Sequence, residues 1–116
     1  MGFLLYCPVD TAISSSFKQI LAEYPGPAAR VNSLKRGYNR ASKHFVGKAI
    51  DLEFSHEVIE FLVSAAGQKW LVDNGLTFYI EGKPGSKRVS KYLRAPYDKY
   101  VFFNPSATGD HIHINA

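Results

Sequence analysis

Residues 49–54 read Ala-Ile-Asp-Leu-Glu-Phe, an alternation that predicts a half-buried strand. Ile50, Leu52 and Phe54 take its core face, so Asp51 and Glu53 share the opposite one. The same period recurs at His111–Asn115, where Ile112 and Ile114 enter the core and His111 and His113 point together away from it. A helical period runs instead from Asp10 to Tyr24, with apolar groups at Ile13, Phe17, Ile20, Leu21 and Tyr24. Asp10 or Thr11 is its expected N-cap, and Pro25, Gly26 and Pro27 stop it. A longer helix is predicted from the N-cap Ser55 to the stop at Asn74-Gly75. Its apolar stripe of Val58, Ile59, Leu62, Val63, Ala66, Trp70 and Leu71 makes it the main packing helix. Shorter signals predict strands at Phe3–Cys7, around Val31 and Leu34, at Leu76–Ile80 and at Tyr100–Phe103. The basic segment between Ser86 and Pro96 reads as loop or a short strand, and Asn104–Gly109 as a turn. This mixture predicts an α+β fold: a small, mostly antiparallel sheet with two main helices, in one domain over residues 1–116.

Composition narrows the class. The 116 residues are 46% hydrophobic, 14% aromatic and 21% charged, the balance of a globular domain rather than a disordered or fibrous chain. No transmembrane segment is expected, because no run approaches the roughly 18–20 apolar residues of a span. The N-terminal run lacks a basic leader and is interrupted at Pro8 and Asp10, so no secretory signal is expected. The single cysteine, Cys7, forms no internal disulfide and no thiolate cluster, so any metal site must use His and carboxylate. Lysine and arginine outnumber the acids 14 to 10, which favours an anionic partner. The cations cluster at Arg30, Lys35, Arg36, Arg40, Lys43 and Lys48, and again at Lys83, Lys87, Arg88, Lys91 and Arg94. Two solvated basic loops account for the charge equally well.

The histidines carry the candidate chemistry. His44 precedes Asp51 by seven positions with Gly47 between, so a loop can fold the imidazole back toward the strand that carries the aspartate. With His113 they make a set of two nitrogens and one carboxylate oxygen, which suits zinc with an open fourth position. A His-x-His pair alone is a weak signal, and the conjunction is stronger than its parts. His56 follows the Ser55 cap and is expected at the surface.

Ser42-x-His44-x-x-Gly47-x-Ala49-x-Asp51 resembles the first zinc motif of the D-alanyl-D-alanine carboxypeptidase and L-alanyl-D-glutamate endopeptidase family. That family shares its fold with lysostaphin-type peptidases and the hedgehog signalling domain. Asp110-x-x-His113 is similar to its second motif, and Arg36 falls at the place of a family arginine. The connection from Arg36 to His44 is shorter than in the family, and Ile112 stands where an aromatic is usual. The resemblance implies one zinc ion per chain held by His44, Asp51 and His113, Asp110 as general base, and Arg36 and Ser42 as substrate contacts. It also implies a monomeric zinc peptidase acting on peptidoglycan stem peptides, without nucleic acid as partner. Phage-mediated cell-wall degradation fits this, with the protein made in the host cytoplasm and acting on the wall or within the virion.

In an unbroken strand Asp110 and His113 face opposite sides, because their separation is odd. Asp110 is therefore expected in the turn after Gly109; otherwise His111 becomes the proton-transfer residue, as in the His-x-His pair of lysostaphin-type relatives. Two further readings stand beside the peptidase. One is an inactive zinc-binding virion or binding module. The other is a His-hydrophobic-His endonuclease of single-stranded DNA, which needs a nucleophilic tyrosine after the motif, where only Ile114, Asn115 and Ala116 follow.

Overall fold

Alternation decides which side of each strand is covered. The computed structural model describes residues 4–6, 15–33 and 49–116. These form six strands in chain order: β1 (Leu4–Tyr6), β2 (Ala29–Ser33), β3 (Ala49–Glu53), β4 (Thr77–Gly82), β5 (Val101–Phe103) and β6 (His111–Asn115). Four α-helices join them: α1 (Ser15–Ala22), α2 (His56–Val63), α3 (Ala65–Asp73) and α4 (Lys87–Ser90). The fold is α+β, with one mostly antiparallel sheet in the order β1-β2-β3-β6-β4-β5. Its four central strands pair antiparallel. The outer pairs, β1 with β2 and β4 with β5, are parallel, because a helix lies between their members and returns the chain to the same end.

Ile50 and Leu52 of β3, Ile112 and Ile114 of β6, and Phe78 and Ile80 of β4 are all buried and share one cluster. Val58, Ile59 and Leu62 of α2 and Trp70 and Leu71 of α3 close over it. The helices thus cover one sheet face, and the alternate residues of β3, β6 and β4 occupy the other. Between Val31 and Ser33 the register with β3 slips by one residue, a bulge that sets Ser33 opposite Asp51. Among the described residues no helix is long and apolar enough to cross a membrane.

The single helix expected over residues 55–74 is two helices. Ser55 caps the first as predicted, its Oγ accepting from Val58 N. Ser64 breaks the run: its backbone is extended, its N–H bonds the Phe61 carbonyl to close α2, and its Oγ accepts from Gly67 N to open α3. The stripe kept its helical spacing across the break, so periodicity could not locate it. The helix end at Asn74-Gly75 is as predicted. Gly75 has φ +66°, and the N–H groups of Leu76 and Gly75 bond the carbonyls of Leu71 and Val72. The basic segment expected as loop or strand opens with α4, because Ser86 caps it and Val89 is buried.

Gly67 permits the tight junction at Ser64, since a Cβ there would run into the Phe61 carbonyl. Gly67→Ala is expected to lower stability by about 1–3 kcal/mol, the usual cost of overpacking. Urea unfolding checks this, and an unchanged midpoint contradicts it.

Candidate functional site

The registers of β3, β6 and β4 align two rows of side chains across the face turned away from α2 and α3. Asp51 pairs with His113, which pairs with Tyr79; Glu53 pairs with His111, which pairs with Glu81. Both histidines face away from the helices, as the alternation with Ile112 and Ile114 requires. Leu52 and Ile80, buried on the other face, hold β3 and β4 against β6.

Asp51 is 3% exposed, and its Oδ1 lies 3.0 Å from His113 Nδ1 and 3.6 Å from His111 Nε2. His111 Nε2 also lies 3.1 Å from Glu81 Oε1, while Glu81 Oε2 accepts from Asn104 Nδ2 at 2.7 Å. His111 Nδ1 is 3.0 Å from the Gly109 carbonyl, which can only accept, so that nitrogen carries a proton. Its other nitrogen faces two carboxylates, and the doubly protonated ring satisfies every partner. Burial opposes that charge, but the bond to Glu81, the charge of Asp51 and the Gly109 carbonyl outweigh it and raise the His111 pKa. Burial likewise pushes the Glu81 carboxyl up, yet the bonds from His111 and Asn104 and the nearby imidazole charges leave it below the ordinary carboxylate value.

Glu81 was not among the residues expected in the site. The predicted strand ended at Ile80, one residue short of it. Its signal was the position two after Tyr79, on the polar side of that strand.

Asp110 lies between the bend at Thr108–Gly109 and β6, as expected, but its carboxylate is turned toward the helix-covered side. Its Oδ1 accepts from Ser86 Oγ at 2.7 Å and its Oδ2 from Arg88 Nε at 2.9 Å, which ties β6 to the start of α4. A Cβ built on Gly82 would lie 2.5 Å from Asp110 Oδ1 and 2.8 Å from buried Val89 Cγ2, so Asp110 shares the side of Val89. The structure therefore brings Asp51, His111 and His113 together and sets Asp110 apart from them. His44, Ser42 and Arg36 lie outside the described residues. His56 is exposed as expected, with Nδ1 2.7 Å from the Tyr92 hydroxyl.

Comparison with known proteins returns no match: no family model, no curated protein and no solved structure.

Among the described residues no group of three or more His, Cys, Asp or Glu side chains is arranged to hold a metal ion. Asp51 and His113 nevertheless fit as two donors of a zinc site. Donors on one tetrahedral zinc lie roughly 3.3 Å apart, so the 3.0 Å pair needs only a small opening. The third expected donor, His44, stands five residues before Ala49, where β3 begins. Beside His113, Tyr79, Glu81 and Phe102 line a cleft of about 370 Å³.

The two shifted groups set an acid–base signature for the metal-free protein. Glu81, lowered in the fold, contributes stability above the ordinary carboxylate value of 4.5 and loses it as pH falls through its folded value. His111, raised in the fold, contributes below the ordinary imidazole value of 6.5 and loses its share as pH rises through its folded value. In chelator-treated protein the contribution of this pair is expected to peak between those values, with His111→Gln flattening the alkaline side in urea titrations. An alkaline limb unchanged by His111→Gln would count against the pairing.

Proposed function

We propose that the chain is a zinc-dependent peptidase hydrolysing peptidoglycan stem peptides, of the D,D-carboxypeptidase or L-alanyl-D-glutamate endopeptidase type. The observation that carries this reading is the Asp51–His113 pair, side by side on neighbouring strands with His111 behind it. The motif resemblance around His44 and Asp51 supplies the chemical class, and the hedgehog-type fold belongs to the same proposal. His44, Asp51 and His113 would hold the ion. When bound, zinc supplies Lewis acidity, which polarises a peptide carbonyl and makes water nucleophilic near neutral pH.

The chain's own groups supply the rest. His111, held between Glu81 and the Gly109 carbonyl, is oriented to move a proton at Nε2. Glu81 and Asn104 fix that ring and balance its charge. Asp110, implied as base by the motif, anchors α4 through Ser86 and Arg88, so the arrangement favours His111 for proton transfer. Arg36 and Ser42 are the proposed substrate contacts, an arginine fork being suited to a free carboxylate. Action on the bacterial wall during phage-mediated degradation follows from the same reading.

Muropeptide digestion by zinc-loaded protein tests this, with peptide cleavage expected. Zinc-loaded protein that leaves every muropeptide intact overturns the peptidase in favour of a binding module. Nicking of single-stranded DNA by the same sample would instead favour the endonuclease.

A further inference from the structure

We infer that Tyr79 is a positioning residue for the metal site, its ring holding the plane of the His113 imidazole while Asp51 holds one nitrogen. This rests on the peptidase reading and adds a residue to the machinery that reading names. The registers set Asp51, His113 and Tyr79 in one row, so the imidazole of β6 lies between a carboxylate on β3 and a phenol ring on β4. Asp51 Oδ1 lies 3.0 Å from Nδ1. The Tyr79 ring stacks on the imidazole with centroids 6.0 Å apart and planes inclined by 29°, within the range of offset aromatic pairs. Because β5 lies beyond β4 from β6, Phe102 flanks Tyr79 on the side away from His113, with centroids 6.3 Å apart and planes tilted by 54°.

The core does not account for these rings. β4 reaches it through Phe78 and Ile80, and β5 through Val101 and Phe103. Tyr79 and Phe102 remain 42% and 49% exposed, so each gains less from burial than a core ring does. Among the described residues their ring contacts are with each other and, through Tyr79, with His113. A hydrogen bond at Nδ1 fixes that atom, whereas the plane of an imidazole is set by what lies against its face. The lone pair that an imidazole gives to zinc lies in the ring plane, and binding constellations tolerate only about 10–20° of misorientation. A flat neighbour limits that tilt whether or not it carries a hydroxyl.

Competition titration of zinc with Tyr79→Ala, Tyr79→Leu and Tyr79→Phe in the full chain tests this. Tyr79→Ala and Tyr79→Leu are expected to weaken binding by about 10-fold, the low end of what losing a partner that supports a ligand costs. Tyr79→Leu keeps apolar bulk on β4 and guards against a failure of Tyr79→Ala to fold. Tyr79→Phe keeps the ring and should restore wild-type affinity. In metal-free protein, NMR should show the His113 ring protons moved in Tyr79→Ala and Tyr79→Leu and near wild type in Tyr79→Phe. At saturating zinc, Tyr79→Ala should lower kcat for stem-peptide cleavage with KM nearly unchanged, because Tyr79 acts through His113. Wild-type affinity in both Tyr79→Ala and Tyr79→Leu overturns the assignment and leaves the peptidase reading intact. So does Tyr79→Phe binding as weakly as Tyr79→Ala, which gives the role to the hydroxyl, or a raised KM with kcat intact, which makes Tyr79 a substrate contact. The expected zinc and NMR effects, with no peptide cleaved by the wild type, overturn the peptidase reading and keep Tyr79 as the support of a metal ligand. Wild-type protein that binds no zinc sinks the two together.

Discussion

His113→Ala is expected to abolish stoichiometric zinc binding while leaving the fold intact. The imidazole projects from the centre of the sheet, and its Nδ1 meets Asp51 Oδ1 at 3.0 Å. Removing it takes one of the two donors that the described residues bring together. Loss of an outer hydrogen-bond partner typically weakens a metal site 10- to 100-fold, so loss of a donor should cost at least about 100-fold in affinity. The fold should persist because the core contacts of β6 run through Ile112 and Ile114, which face the helices. Competition titration of zinc, with circular dichroism on the same sample, measures both effects. Wild-type-like zinc content in His113→Ala would remove His113 from the site.

His111→Ala should lower kcat by about 10²- to 10⁴-fold, the usual contribution of a positioned proton-transfer group, while zinc is retained. Its ring is fixed at both nitrogens, by Gly109 on one side and Glu81 on the other, and it stands 3.6 Å from Asp51 Oδ1. Asp110→Ala is the necessary partner experiment. Asp110 spends its carboxylate on Ser86 and Arg88, so its loss should loosen α4 and cost about 1 kcal/mol of stability. Turnover per folded molecule should stay near wild type. The reverse pattern, with Asp110→Ala inactive and His111→Ala active, would return the base to Asp110 as the motif resemblance implies. The two residues are adjacent in sequence but face opposite sides, so the pair of variants separates site chemistry from a general disturbance of β6.

The legible parts of the molecule share a physical origin. The faces of β3 and β6 follow from period-two alternation, which needs nothing beyond neighbouring residues. The caps at Ser55 and Asn74-Gly75 are equally local, each closing hydrogen bonds within a few residues. The break at Ser64 was hidden because its residues kept helical spacing, and what divides them is the extended backbone of Ser64, which closes α2 and caps α3, with Gly67 leaving room for the Phe61 carbonyl. The edge pairings were hidden too, since parallel neighbours are chosen by where a crossover helix lays the next strand.

The candidate site divides in the same way. The amino-acid sequence by itself determined that His111 and His113 share a face, that Asp51 lies opposite the core, and that any metal held here would need His and carboxylate donors, since there is one cysteine. Those conclusions rest on alternation and residue chemistry. Only the tertiary structure decided that β6 runs between β3 and β4, which brings Asp51 to His113 across 62 residues and Glu81 to His111 across 30. It also turned Asp110 toward α4, because the capping serine and Arg88 that hold it arrive from a segment more than 20 residues earlier. Local pattern fixes which way a side chain points from its own strand, whereas the partner it meets depends on which distant strand the fold sets beside it.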